Sequence, residues 1–288
     1  MKNSYKVRKN SLYKKKRGKK VIKDGHIHTP FCPHGTSDSF EQYIEMALKQ
    51  GYKQMTFTEH APLPQGFIDT TPTKDSGMKW EHLQEYFVKI TEMKNQYNGQ
   101  ITILAGLEVD YIEGFEKETK QLLNEIGPYL DDSILSVHFL KHEDSWDCLD
   151  YSVDYFEGMI DRYGSLEQIH EKYYDTVLHS IKADLGHYKP KRIGHMTLVH
   201  KFKKRFPLQK SFQSKVDEIL LLVAKHGLEL DYNGAGFSKS FCQDSYPPEN
   251  IVLQAMKMNI PLVYGSDAHQ AKDLGQGRNK MVKVNLLA

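Results

Sequence analysis

Lys20-Val21-Ile22-Lys23-Asp24-Gly25-His26-Ile27-His28 reads as a short, partly apolar strand, about Lys20 to Gly25, that runs into two histidines one residue apart. Side chains at i and i+2 share a face of a strand, so both imidazoles can reach one cation. An H-x-H pair is weak by itself, because it occurs by chance and in unrelated metal sites. It gains weight from the rest of the chain, where similar runs end in similar residues. Further strands are predicted at about Gln54 to Thr58, Ile101 to Leu107, Ser133 to Val137, Lys191 to Gly194, Leu228 to Tyr232 and Pro261 to Gly265. Stretches of helical period separate them, the alternation expected of a parallel sheet wrapped by helices.

The helical stretches carry their own punctuation. Ser39 with Gln42 forms a candidate capping box ahead of the stripe Tyr43, Ile44, Ala47 and Leu48, which Gly51 closes. Val216, Ile219, Leu220 and Val223 repeat the pattern before Gly227, and Leu166, Ile169, Tyr173, Val177 and Ile181 outline a long helix. These stripes are read as core.

In a parallel barrel, side chains at the carboxyl ends of the strands converge on one mouth. The first predicted strand leads to His26 and His28, the second to Glu59 and His60, the third to Glu108, the fourth to His138, the fifth to His195, and the seventh to Asp267 and His269. One histidine after a strand is more often structural than a ligand; ligand types at six of seven ends reverse that reading. Imidazole mixed with carboxylate suits zinc, manganese or iron. A carboxylate between two cations offsets their repulsion, and Glu108, at the end of an otherwise apolar strand, is the candidate bridge.

Length and charge bound the class. The 288 residues suit a single α/β barrel, a fold that needs about 250. No apolar run nears the ~20 residues that span a bilayer, so a soluble, cytoplasmic enzyme is expected. Cys32, Cys148 and Cys242 are odd in number and form no C-x-x-C pair, which speaks against disulfides and a thiolate zinc site. Cys32 is read as packing in preference to metal contact. Residues 1–23 hold nine lysines, two arginines and no acid, leaving 28 basic against 37 acidic residues in the remainder. Residues 1–20 are therefore expected to be a solvated basic extension ahead of one domain, 21–288, with contact to nucleic acid as the minor alternative.

Six segments, in order, carry a specific resemblance: Asp24-Gly25-His26-Ile27-His28-Thr29-Pro30-Phe31-Cys32-Pro33-His34-Gly35, Phe57-Thr58-Glu59-His60-Ala61-Pro62, Gly106-Leu107-Glu108-Val109-Asp110-Tyr111, Ser136-Val137-His138-Phe139, Arg192-Ile193-Gly194-His195 and Gly265-Ser266-Asp267-Ala268-His269. The chain resembles the polymerase-and-histidinol-phosphatase (PHP) family of metal-dependent phosphoesterases, and within it the histidinol-phosphatases of histidine biosynthesis. The basic start departs from that pattern.

The resemblance implies a distorted seven-stranded (β/α)7 TIM-like barrel with a trinuclear centre. It implies that His26, His28 and Asp267 hold a first metal, Glu108 bridges it to a second completed by His138 and His195, and His34, His60 and His269 bind a third. Zinc is the first expectation for the three divalent ions, with manganese or iron as alternatives. Glu108, Asp267 and His269 are expected to take part in catalysis, and Glu59 to orient His60 or a water. A water bridging two cations has its pKa pulled toward neutrality and attacks phosphorus in line, so no side-chain nucleophile is required.

The implied substrate is L-histidinol phosphate, a small phosphomonoester. Arg192, Arg162 and Lys201, with Arg278, are the candidate phosphate clamps; an exposed ion pair is the bland reading of each. Asp110 and Tyr111 are candidates for contact with the substrate's amine or imidazole, or for support of the site. His82, His142, His170, His179, His187, His200 and His226 are read as ordinary structural or surface residues. Three other functions compete: a PHP-type phosphoesterase acting on another phosphomonoester or on nucleic-acid 3′ ends, an amidohydrolase-like barrel, and a binding protein that has lost its metals. The amidohydrolase reading wants a lysine where Glu108 stands, and the last wants missing ligands.

Overall fold

A computed structural model describes residues 22–283. The basic extension read at 1–20 lies outside the described residues. Seven strands form one parallel sheet: β1 (Lys23–Ile27), β2 (Gln54–His60), β3 (Thr102–Asp110), β4 (Ile134–Ser136), β7 (Arg192–Ile193), β8 (Glu229–Asn233) and β9 (Leu262–Gly265), paired in that order. A parallel bridge from Ile27 to Ala268 brings the two edges together. There the Asp267 N–H donates to His26 O (2.7 Å) and the His28 N–H to Ala268 O (3.0 Å). The sheet is thus a nearly closed seven-stranded barrel.

The helices α1 (Phe40–Lys49), α2 (Leu83–Gln96), α3 (Glu116–Ile126), α4 (Val153–Tyr163), α5 (Leu166–Lys182), α6 (Gln213–Lys225) and α7 (Glu249–Lys257) occupy the connections. The Ser39–Gln42 capping box forms as expected, satisfying two orphan amides at the start of α1. Tyr43, Ile44 and Ala47 on α1, and Val216, Ile219, Leu220 and Val223 on α6, are buried against the sheet. No helix among the described residues is long and apolar enough to cross a membrane.

Two departures matter for the site. Strands β1, β2 and β3 run on through His26, His60 and Glu108, with His60 in register with Glu108, so these three side chains are fixed by strands and do not hang on loops. After the fourth strand, where the sequence predicts no strand, the chain forms an antiparallel hairpin of β5 (Phe139–His142) and β6 (Ser145–Cys148). Phe139 and Cys148 join Ile112, with Phe67, Phe115 and Trp146 packed around them, in a small second core. Burying those rings rewards pairing that the charged turn His142-Glu143-Asp144 conceals in the sequence.

Candidate metal centre

The barrel mouth opens into a cavity of about 540 Å³ whose lining includes His34, His60, Glu108, His138, His195, Asp267 and His269. His26 and His28 lie fully buried at its base. Glu108 is the hub. Its Oε2 lies 3.3 Å from His26 Nε2, 3.5 Å from His28 Nε2 and 3.3 Å from His60 Nδ1; its Oε1 lies 2.9 Å from His195 Nε2 and 3.8 Å from His138 Nε2. Asp267 Oδ1 is 3.1 Å from His28 Nε2 and 3.7 Å from His26 Nε2. Residues distant in the chain therefore meet around two carboxylates.

Three imidazoles are backed by carboxylates on the side away from the hub. Asp231 contacts His26 Nδ1 at 2.9 Å, Glu59 contacts His28 Nδ1 at 3.3 Å, and Asp110 contacts His138 Nδ1 at 2.7 Å. In the neutral ring, a carboxylate accepting from Nδ1–H leaves the Nε2 lone pair pointing inward, the tautomer a metal ligand needs. Burial and the charge of Glu108 act in opposite directions on His26, and its carboxylate neighbours raise its pKa well above the ordinary value. Glu108 is held well below the usual carboxylate range despite burial, with His26 foremost among the causes.

His34 and His269 make the strongest test of whether cations fit. His34 Nδ1 lies 2.9 Å from Asp75 O and His269 Nδ1 lies 3.1 Å from Asp267 O. A carbonyl only accepts, so both Nδ1 atoms carry a proton, and each ring, once neutral, presents the Nε2 lone pair. Those two Nε2 atoms face each other across 3.2 Å. Ligand nitrogens about 2.05 Å from a tetrahedral zinc stand about 3.4 Å apart, so the separation suits one cation held by both nitrogens. His26 Nε2 and His60 Nδ1, both buried, also lack hydrogen-bond partners. The residues fit divalent metal.

Local backbone serves the same end. Gly265 has no room for a side chain: a β-carbon there would collide with Asp231 Oδ1 and stand 2.6 Å from His26 Cβ. Asp267 adopts φ 53, a left-handed conformation that Asp tolerates better than most residues. The bond from its N–H to His26 O and the Gln276 side chain, which donates to Ser266 O at 2.7 Å, hold it there.

The positively charged candidates divide. Lys201 lines the cavity and donates to Asp150 O (2.6 Å) and Asp150 Oδ2 (2.8 Å). Burial opposes ionisation of Asp150, and Lys201 beside it holds the carboxyl well below its usual range. Arg192 does not face the mouth, a correction to its reading as a phosphate clamp. Its buried guanidinium donates to Gly25 O (2.6 Å) and to Asp132, because a residue at the start of a barrel strand points into the closed end. Arg162 is likewise committed elsewhere, bonding Asp147 at 2.6 Å, and Arg278 lies over the rings of Tyr52 and Tyr264. Neither is among the residues lining the cavity.

Glu59 braces His28 and the His60 backbone N–H (2.9 Å), not the His60 ring. Tyr111 turns away to bond Glu116. Sequence reasoning did not single out Asp231, Asn233, Asp150 or Lys239. Asn233 donates to both Asp231 and Asp267 at 3.1 Å, and Asp150 and Lys239 line the cavity. An acid between Leu230 and Tyr232 in β8 was the available sign for Asp231.

With this geometry in place, comparison with known proteins is direct. The PHP domain pattern matches residues 24–235, and the chain belongs to that family. It is 50% identical over 255 residues to the histidinol-phosphatase of Bacillus subtilis (strain 168), covering 88% of this chain and 95% of that one. The crystal structure of HisK from Listeria monocytogenes superposes with a TM-score of 0.86 at 39% identity, covering 90% of this chain and 99% of that chain. A Lactococcus lactis histidinol phosphate phosphatase, solved with zinc, L-histidinol and phosphate, shares the fold at a TM-score of 0.62 and 18% identity, over 90% and 91% of the two chains.

Proposed function

We propose that this chain is a histidinol-phosphatase, hydrolysing L-histidinol phosphate to L-histidinol and phosphate in the cytoplasm. The observation that carries the substrate is the 50% identity, across nearly the whole of both chains, with the Bacillus subtilis histidinol-phosphatase. The chemistry rests on the nest of imidazoles and carboxylates at the barrel mouth.

In this reading His26, His28 and Asp267 hold one cation, Glu108 is shared with a second held by His138 and His195, and His34, His60 and His269 hold a third. Zinc suits this donor set, and manganese or iron also fit. When bound, such ions lower the pKa of water and offset charge on the phosphoryl oxygens. Asp231, Glu59 and Asp110 fix the tautomers of three ligands. The Asp267 and His269 side chains, 18% and 29% exposed, are open enough to exchange a proton with water or with the departing alcohol. Lys201 and Lys239 supply positive charge for the phosphate, while Asp75, Asp150 and Asp273 on the cavity wall favour the ammonium end of the substrate.

The test is phosphate release by purified protein of known metal content, over a panel of small phosphomonoesters. Turnover of L-histidinol phosphate well above the others supports the reading. Full metal occupancy with no release from that substrate overturns it.

A further inference from the structure

We infer that Cys32 is a metal ligand, supplying a thiolate to a cation it shares with His60 and His269. The inference rests on the metal-centre reading above and adds a donor to it. The ligand atoms of His28, Cys32, His60 and His269 all lie within 4.8 Å of one another, and among the described residues Cys32 is the cysteine found in such a group. Cys148 and Cys242 instead direct their sulfurs at Asp150 (3.4 Å) and at Asp244 O (3.8 Å).

The loop that carries Cys32 is built to aim it. The Cys32 N–H donates to Thr29 O (3.0 Å) and the Gly35 N–H donates to Cys32 O (3.2 Å), so consecutive turns use both of its backbone polar groups. The sulfur lies within hydrogen-bonding reach of the His28 and His34 rings. A small apolar side chain would fill the volume, yet the sulfur sits beside imidazoles whose other nitrogens are committed: Nδ1 of His28 to Glu59 and Nδ1 of His269 to Asp267 O.

Coordination breaks the S–H bond, forms a sulfur–metal bond and passes one proton to water, so loading this site releases one proton more than its imidazoles alone would. It also makes the site softer than its neighbours. Thiolate donors favour zinc or iron over manganese or magnesium, so the third position is selective where the bridged pair is permissive.

Cobalt substitution tests this without relying on turnover. Apoprotein titrated with cobalt(II) should show a near-ultraviolet sulfur-to-cobalt charge-transfer band besides the weaker visible bands of nitrogen and oxygen ligation. The band should persist in Cys148→Ser and vanish in Cys32→Ser. The latter should also bind zinc at that position at least about tenfold more weakly, since even outer partners of a ligand are worth roughly 10–100-fold. Visible bands without a charge-transfer band in the unsubstituted protein would overturn the inference while leaving the metal centre intact, whether or not Cys32→Ser folds. A band that survives Cys32→Ser and is lost in Cys148→Ser would overturn it too. Absence of all cobalt bands would remove both the inference and the centre on which it rests.

Discussion

Asp231 stands 2.9 Å behind His26, on a strand 205 residues further along the chain, and fixes which ring nitrogen faces the hub carboxylate. The Asp231 side chain is fully buried and reaches no substrate-facing surface. Its contribution is therefore separable from binding. Asp231→Asn keeps the shape but lets the ring choose its tautomer, and metal affinity or turnover should fall roughly 10–100-fold. Metal content after dialysis, measured beside kcat and the thermal midpoint, checks this; unchanged metal retention would assign Asp231 to packing.

Removing the metals should cost stability as well as activity. A ligand present at 100 times its Kd stabilises the native state by about 2.7 kcal/mol per site. At roughly 2–4 °C per kcal/mol for a domain near this size, chelation should lower Tm by about 5–10 °C for each ion lost. Scanning calorimetry with and without chelator reads the number directly, and a Tm indifferent to chelation contradicts a preformed centre.

Arg192 and Lys201 should respond differently to the same substitution. Arg192→Met leaves a buried polar pocket and a carboxylate without its partner, so the loss should fall on stability, about 3–5 kcal/mol, with KM little changed. Lys201→Met removes a cation from the cavity wall, and a charged hydrogen bond is worth about 1.5–3 kcal/mol. The expected signature is a KM raised at least about tenfold, which Arg192→Met should not show, beside a stability loss from the Asp150 carboxylate left without its partner. Denaturant unfolding and steady-state kinetics on both variants separate the two, and the reverse assignment would place the phosphate at the closed end.

Away from the site, His170 gives the fold a sensitivity to acid. Burial, with the His200 ring nearby, pushes His170 down to about 3, and its Nδ1 has no hydrogen-bond partner. The folded pKa thus lies below the unfolded value near 6.5, so its stabilising contribution is complete above that pH and is lost as pH falls from there toward 3. At pH 5 the single residue accounts for about 2 kcal/mol. His170→Phe, able to keep the stacking on Phe212, should lose about that much less than the parent between pH 7 and pH 5 in urea unfolding. Equal losses would mean the histidine is not held neutral.

The parts legible in the sequence share one property. His60, Glu108 and His195 each stand at or just beyond the end of an apolar run, so the change from hydrophobic to ligand type marks both the strand and its carboxyl end. Asp231 carries no such mark, because it sits within β8 and its purpose appears only when His26 is placed beside it. Arg192 misled for a related reason: charge drew attention to it, whereas direction along its strand decided where it pointed. The β5–β6 hairpin was hidden by its charged turn, and the ring cluster that supports it draws Phe67, Phe115 and Trp146 from three separated segments.

The seam where Ile27 meets Ala268 joins the opening and closing strands of the barrel, and ligand residues stand on both sides of it. Until the last strand docks, His26 and His28 lack Asp267, and His34 lacks its counterpart His269. In the proposed reading, two of the three cation positions therefore stay incomplete until the barrel closes.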